Sequence, residues 1–347
     1  MLAAVYHGPN DLRVEQVPRP EPGPGEILLK VLTASICGTD LRILQGGHRK
    51  YPSGTVRIPG HEVVGEVAEL GHGVEGFLIG QRVFVAPNMG CGRCSQCLAG
   101  ANNICPNYQA LGVTIDGGFA EFVRVPDAAV RQGNVMPIAG DVDPAQAALI
   151  EPLACVLRGQ NAVHVQGGDV VLVSGAGPIG VMHMTLASLR GAVKVIISEP
   201  NPYRRQRALD LGAHRVVDPS GEDLAAIVDA ETGGAGADVV ITASPAAAAQ
   251  EQALQLAAVG GRVLYFGGLP ASASTIRFDS NLVHYKELIV TGTTACSTRD
   301  CVQTVRLLNS GRIDLSPLIS ERFPLSRAAE AFEAARAQTA LKVVLEP

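Results

Sequence analysis

Four cysteines, Cys91, Cys94, Cys97 and Cys105, stand at the spacing C-x2-C-x2-C-x7-C. Thiolates this close can close a tetrahedral Zn–S4 site, and a metal held by four sulfurs keeps no open position, so its role would be structural. Disulfides and an iron–sulfur cluster compete for such a spacing. Gly90, Gly92 and Gly100 supply sharp turns around the loop. A second group of donors is dispersed. Cys37 lies in Ile36-Cys37-Gly38-Thr39-Asp40, His61 and Glu62 in Pro59-Gly60-His61-Glu62, and Glu151 heads Glu151-Pro152-Leu153-Ala154. Taken singly, a Cys or His in an apolar stretch reads as a packed core residue. Taken together, one sulfur, one imidazole and two carboxylates make a credible catalytic Zn2+ set with a water position left open. Cys155, Cys296 and Cys301 have no metal spacing and read as small buried apolar residues.

A third pattern is Gly175, Gly177 and Gly180, a G-x-G-x-x-G that follows the apolar run Val170–Ser174 and opens a helical stretch at Pro178 and Ile179. In that context the first glycine allows a tight turn, the second lets backbone approach a pyrophosphate, and the third lets helix pack on strand. Pro178 sits where a missing N–H costs nothing, and the helix start offers free N–H groups to phosphates. Glu199 ends the next strand, 19 residues after Gly180. A carboxylate there accepts ribose hydroxyls and repels a 2′-phosphate, which favours NAD over NADP; Arg204 and Arg205 nearby pull the other way. The alternative is a glycine turn in an α/β domain that binds no dinucleotide.

The elements that must hold these groups follow from periodicity. From Met1 to about Asp141, short apolar runs such as Ile27–Leu32, Val63–Leu70, Gln81–Pro87 and Phe119–Val125 are cut by Gly and Pro, as in an irregular β-rich unit. From Asp143 the pattern turns Ala-rich and helical, with Pro144–Val163 reading as one or two helices. Strands and helices then alternate. Strands are expected at 170–174, 193–198, 215–218, 238–243, 261–267 and 287–292. Helices are expected at 178–190, 203–211, 222–231 and 246–259. Apolar strands separated by amphipathic helices signal a parallel sheet buried on both faces. Helices at 299–310 and 326–336 and a last strand at 341–345 follow, and that strand is free to return to the first unit. The expected organisation is a discontinuous outer domain, 1–152 plus 294–347, with a nucleotide-type domain, 153–293, inserted in it.

Composition narrows the function classes. The 347 residues are 47% hydrophobic and 18% charged, as in an ordered globular chain. Lys+Arg 28 against Asp+Glu 33 leaves a net charge of −5, no basis for gripping nucleic acid or an anionic membrane. No apolar run approaches the roughly 20 residues of a bilayer span, and the N-terminus lacks a secretory pattern, so a cytoplasmic protein is expected. Zero Trp and 4% aromatic content argue against a large aromatic-lined pocket.

These motifs together resemble the zinc-containing medium-chain alcohol/polyol dehydrogenase family over almost the whole chain. They are Cys37–Asp40, Gly60–Glu62, the four-cysteine loop, Asp116–Glu121, Glu151–Ala154, the glycine turn with Glu199, and the run from Phe323 through Val344. The resemblance implies a GroES-like β-rich catalytic domain plus a Rossmann domain, two zinc ions per chain, NAD, and a catalytic zinc in the cleft between domains. It implies that Cys37, His61 and a carboxylate, Glu62 or Glu151, hold that zinc, and that Thr39 bonds the substrate oxygen. Glu at 151, where many alcohol dehydrogenases have Cys, is similar to the sorbitol/iditol dehydrogenase branch, as is His284-Tyr285-Lys286-Glu287. The implied reaction is hydride transfer from a secondary alcohol of a polyol, sugar or cyclitol to NAD+, with His48 and Asp116 as candidate substrate contacts. An L-threonine 3-dehydrogenase-like or simple secondary-alcohol activity is the alternative on the same fold, and an NAD-binding structural or regulatory protein is the alternative outside enzymes. The family further implies a homodimer or homotetramer.

Overall fold

The computed structural model describes residues 1–347. The chain opens with β1 (Leu2–Gly8), β2 (Asp11–Gln16), β3 (Ile27–Ser35), α1 (Gly38–Leu44), β4 (Glu62–Leu70), β5 (Arg82–Val85) and β6 (Asn88–Met89). Next come α2 (Ser95–Leu98), β7 (Gln109–Ala110), β8 (Phe122–Val125), α3 (Asp127–Arg131), β9 (Val135–Pro137), α4 (Pro144–Ala148) and α5 (Ile150–Ala162). An alternating series follows: β10 (Val170–Ser174), α6 (Pro178–Leu189), β11 (Lys194–Ser198), α7 (Pro202–Asp210), β12 (Arg215–Val217), α8 (Leu224–Thr232) and β13 (Ala237–Thr242). It closes with α9 (Ala247–Leu256), β14 (Ala257–Tyr265), α10 (Ser280–Tyr285) and β15 (Ile289–Gly292). The last elements are α11 (Thr298–Asn309), β16 (Ile319–Pro324), α12 (Ala328–Arg336) and β17 (Lys342–Glu346). Packing divides the chain into two units, Met1–Ala154 with Ala295–Pro347, and Cys155–Thr294.

The first unit is built on a seven-stranded sheet in the order β16-β17-β3-β4-β5-β9, with β8 also paired to β3. β3 runs antiparallel to both β4 and β17, so its C-terminal end lies against the starts of its two neighbours. Ser35 pairs with Glu62 on one side and with Val344 on the other. The core beneath joins both ends of the chain: Ile27, Leu29 and Val63 pack with Phe119, Phe332 and Val343. Phe119 and Phe332 meet edge to face at 5.7 Å. The β1–β2 hairpin, α1 and β16 are additions to the sequence expectation. β2, α1 and β16 are short and mixed in polarity and carry no sustained hydrophobic period, whereas β1 is a buried apolar run, Ala3–Tyr6.

The second unit is a six-stranded parallel sheet, β12-β11-β10-β13-β14-β15. The chain steps outward from β10 to β12, then returns to place β13 on the other side of β10. That reversal is the topological switch point at which parallel sheets bind ligands, beyond their strand C-termini. Leu172, Val173, Ile196, Ile197, Val240 and Ile241 are fully buried, as strands covered on both faces require. One expected boundary moves: α9 stops at Leu256, and Ala257 onward joins β14 because Ala257 pairs with Ala237. Gly260 at φ +70 then turns the strand, a conformation a helical reading of 246–259 excludes.

Candidate functional site

The sheet geometry of the first unit collects the dispersed donors. Cys37 sits two residues past the end of β3 and N-caps α1; Glu62 begins β4, with His61 just before it. Gly60 makes this approach possible, since it holds φ +96 and a Cβ there would stand 2.9 Å from the Phe119 backbone nitrogen. The ligand atoms of Cys37, His61 and Glu62 lie within 4.8 Å of one another. Glu62 Oε1 is buried without a hydrogen-bond partner. Soft sulfur, imidazole and carboxylate with an orphaned polar atom fit a Zn2+ ion.

Two residues outside the sequence expectation complete this set. Asp40 Oδ2 accepts a hydrogen bond from the Cys37 N–H at 2.9 Å, and its Oδ1 lies 3.4 Å from His61 Nδ1. Burial alone would push the His61 imidazole down, but Asp40 and Cys37 outweigh it and hold it well above the ordinary histidine range. Lys342, at the start of β17, is buried and donates to Glu62 Oε2 at 2.6 Å and to the Ile36 carbonyl at 3.0 Å. Burial works against its charge, but Glu62 and Cys37 hold its pKa above the usual lysine value. Asp40 was legible as the last residue of the Cys37–Asp40 motif. Lys342 had only a faint signal, a lone charge heading the apolar run Val343–Leu345.

Glu151 is not among the ligand atoms that gather within 4.8 Å around Cys37, His61 and Glu62. It lies in the first turn of α5, where Cys296 Sγ donates to its Oε1 at 3.6 Å, and Cys155 follows one turn later on the same helix. Cys296 is therefore more than the inert packing residue expected from spacing; its sulfur also lies 3.5 Å from that of Cys301. The spacing rule missed it because its partners are distant in sequence.

The four-cysteine loop closes as its spacing suggests. All four Sγ atoms lie within 4.8 Å of one another, and no disulfide is present among them. Cys94 and Cys105 sulfurs are 3.7 Å apart, near the roughly 3.8 Å edge of a tetrahedron with Zn–S bonds of about 2.3 Å. The backbone N–H groups of Arg93 and Cys94 bring the Cys91 thiol down to about 6, and burial pushes Cys97 up to about 12. Gly90 is required here because a Cβ would collide with Cys97 Sγ.

The candidate substrate contacts separate. Thr39 is half-buried in the first turn of α1, beside Cys37. His48 follows α1 and shares an electrostatic field with His61, Asp40, Arg42 and Arg49; burial first, then Arg42, lowers its pKa. Its Nδ1 accepts from the Lys50 N–H at 3.3 Å. Asp116 is committed elsewhere: Oδ1 accepts from the Ile58 N–H at 3.0 Å, and the residue lines a separate cavity of about 750 Å³ with Arg57 and Arg124.

In the second unit the three glycines divide their work as the motif requires. Gly175 turns at φ +110 at the end of β10. A Cβ on Gly180 would collide with the Gly175 carbonyl, so this glycine serves strand–helix contact. Gly177 N-caps α6, Pro178 occupies the first helical position with Ile179 next, and a Cβ on Gly177 would meet only open space and the Arg204 guanidinium at 3.8 Å. Open space over a helix N-terminus, beside a cation whose buried Nε has no hydrogen-bond partner, fits a dinucleotide pyrophosphate. Glu199 is fixed below the turn: Oε2 accepts from Ala176 N–H at 2.7 Å and Oε1 from Asn201 N–H at 2.9 Å. Arg205 is already occupied, by Asp218 at 3.0 Å and the Glu199 carbonyl.

Comparison with known proteins agrees with this chemistry. Residues 23–136 match the alcohol dehydrogenase GroES-like domain, and residues 178–310 match the zinc-binding dehydrogenase domain. An L-threonine 3-dehydrogenase of Pyrococcus horikoshii is 39% identical over 334 residues, 95% of this chain and 93% of that protein. A Sinorhizobium meliloti protein whose crystal structure holds NADP superposes with a TM-score of 0.91 at 34% identity, covering 100% of this chain and 99% of its own. An Escherichia coli alcohol dehydrogenase complexed with NADH gives a TM-score of 0.90 at 28% identity, with coverage of 100% and 99%.

Proposed function

Since the chain belongs to the zinc-containing medium-chain dehydrogenase/reductase family and is a zinc-dependent, NAD(P)-linked dehydrogenase acting on an alcohol, we propose that its substrate is a 2-amino-3-hydroxy acid of the L-threonine class, oxidised at the secondary alcohol. The relatives favour this reading over the polyol, sugar or cyclitol substrate that the Glu151 motif suggests. The observation that carries it is charge. Arg42 and Arg49 both act on His48, in a field that also includes His61 and Asp40. A neutral polyol makes no use of guanidinium charge near the substrate candidate His48, whereas an amino-acid carboxylate does.

Cys37, His61 and Glu62 would hold the catalytic zinc, and Cys91, Cys94, Cys97 and Cys105 the structural one. Bound there, zinc supplies Lewis acidity that eases loss of the alcohol proton, and the nicotinamide of NAD(P) accepts the hydride. Lys342 aims the Glu62 carboxylate through its 2.6 Å hydrogen bond; Asp40 orients the His61 ring from its far side. Thr39 is proposed to accept the hydroxyl proton at Oγ1 and pass it outward towards His48. Glu151 is proposed as the exchangeable second carboxylate serving the same reaction. Gly175, Gly177, Pro178, Ile179 and Gly180 cradle the pyrophosphate, with Arg204 beside it, and Glu199 opposes a 2′-phosphate, so NAD is the proposed partner. The β15 edge, with Ile289, Tyr285 and Val259 exposed, is proposed to pair with a second copy of the chain.

The test is an initial-rate comparison of NAD+ and NADP+ reduction with L-threonine, sorbitol, myo-inositol and 2-butanol. The expected result is the highest kcat/KM for L-threonine, and an Arg49→Ala variant that raises KM for L-threonine while leaving 2-butanol unaffected. Faster turnover of sorbitol or inositol would overturn the assignment in favour of a polyol.

A further inference from the structure

The four-cysteine lobe is tied into the first unit by a buried amide network. Asn102, three residues before Cys105, donates Nδ2 to the Asn88 carbonyl at 2.7 Å and to Thr298 Oγ1 at 3.1 Å, and its Oδ1 accepts from the Thr298 N–H at 3.0 Å. Thr298 Oγ1 donates to Asn134 Oδ1 at 3.1 Å, and Asn134 Nδ2 returns to the Asn88 carbonyl at 2.8 Å. The ring is closed. Asn134 Nδ2 also holds the Ala86 carbonyl at 2.8 Å, and one outlet leads to a carboxylate: Asn88 Nδ2 donates to the Cys296 carbonyl at 3.0 Å, and the Cys296 thiol donates to Glu151 Oε1 at 3.6 Å. Asn88, Asn102 and Asn134 are no more than 8% exposed, Cys296 1% and Glu151 6%.

A buried polar network is costly unless nearly every group in it is satisfied, and once satisfied it fixes geometry more tightly than apolar packing does. Apolar side chains would fill the same space at lower risk. The feature that needs amides here is the outlet, which presents a donor to the Glu151 carboxylate. We propose that Asn88 and Cys296 are positioning residues for Glu151, and that the four-cysteine lobe sets that carboxylate through them. The lobe's metal anchors Cys105; Cys105 anchors Asn102, whose carbonyl accepts the Cys105 N–H at 3.2 Å; and the ring carries that anchorage to Cys296. The inference rests on the proposed service of Glu151 to the reaction and is independent of which alcohol is oxidised.

The test uses the full chain with cobalt in place of zinc, so that the ligand-field absorption of the catalytic metal reports on its carboxylate surroundings without any substrate. Four variants are compared: Cys296→Ala, Cys296→Ser, Asn102→Ala and Gln132→Ala. Gln132 holds the same lobe through both polar atoms of Gly90 but has no bond to the ring or to Cys296. Cys296→Ala and Asn102→Ala are expected to shift the catalytic cobalt band and to lower kcat/KM about tenfold or more, the usual cost of losing an outer-shell partner. Cys296→Ser, which keeps a donor, restores both. Gln132→Ala leaves the band where it is. An unchanged band in Cys296→Ala, or an equal shift in Gln132→Ala, would overturn the proposal. A wild-type chain that takes up no cobalt beyond the four-cysteine site would overturn the catalytic-metal reading beneath it.

Discussion

Lys342 and Glu62 form a buried ion pair at 2.6 Å in the middle of the candidate metal set. Removing one partner of such a pair leaves an uncompensated charge and costs about 3–5 kcal/mol. A divalent cation next to Glu62 would replace much of the lost positive charge. Lys342→Met should therefore lower thermal stability strongly in metal-free protein and much less in zinc-loaded protein. Equal losses with and without zinc would show that Glu62 does not face the metal. His183 presents the opposite case, a buried histidine with no charged partner. Burial brings its pKa down to about 3, and its ring meets Phe266 edge to face at 4.7 Å. Because the folded value lies below the ordinary one, the unfolded chain binds the proton first as pH falls through about 6.5, and stability declines from there. The expected loss at pH 5 is about 2 kcal/mol, at roughly 1.4 kcal/mol per pH unit. Urea unfolding of wild type and His183→Leu at pH 7 and pH 5 checks this; the gap between them should narrow by that amount in acid.

At the scale of elements, the glycine turn makes two of its residues separable. Gly180→Ala forces a Cβ into the Gly175 carbonyl and should disrupt the β10–α6 junction, lowering both stability and dinucleotide binding. Gly177→Ala meets only open space in the chain itself, so the fold should survive while affinity for NAD falls by about tenfold or more, or 1.4 kcal/mol. Fluorescence titration with NADH and circular dichroism distinguish the two; equal unfolding by both would contradict the assignment. The same element shows how far sequence reasoning reaches. The parallel series was legible almost strand by strand because buried parallel strands read as unbroken apolar runs, Val170–Ser174 among them. α1 was not, although it carries Thr39 and Asp40. Its seven residues are too few for a helical period, and its start looks like a turn. The donors Cys37, His61 and Glu62 were visible as residue types, but Lys342 and Cys296 were not, because their roles arise from strand register and from contacts across 280 and 145 positions.

For the molecule as a whole, no helix is long and apolar enough to cross a membrane. Among the exposed large apolar residues of the second unit, Ile289 lies on the edge strand β15, Tyr285 just before it, and Val259 on the neighbouring β14. An unpaired edge strand with such neighbours is a template for pairing with another chain. Light scattering should therefore return at least twice the 36.1 kDa chain mass, and Ile289→Lys should reduce it towards that of one chain. A wild-type mass of one chain would remove this edge as an assembly surface.

β17 has a consequence in time as well as in space. It inserts beside β3 and delivers Lys342 to the Ile36 carbonyl, a partner 306 positions earlier in the chain. On a ribosome, the pocket of Cys37, His61 and Glu62 is translated early and then waits, with Glu62 lacking its counter-ion, while nearly everything else is made. A chain lacking β17 therefore lacks the counter-ion of Glu62, and its metal set is expected to stay incomplete.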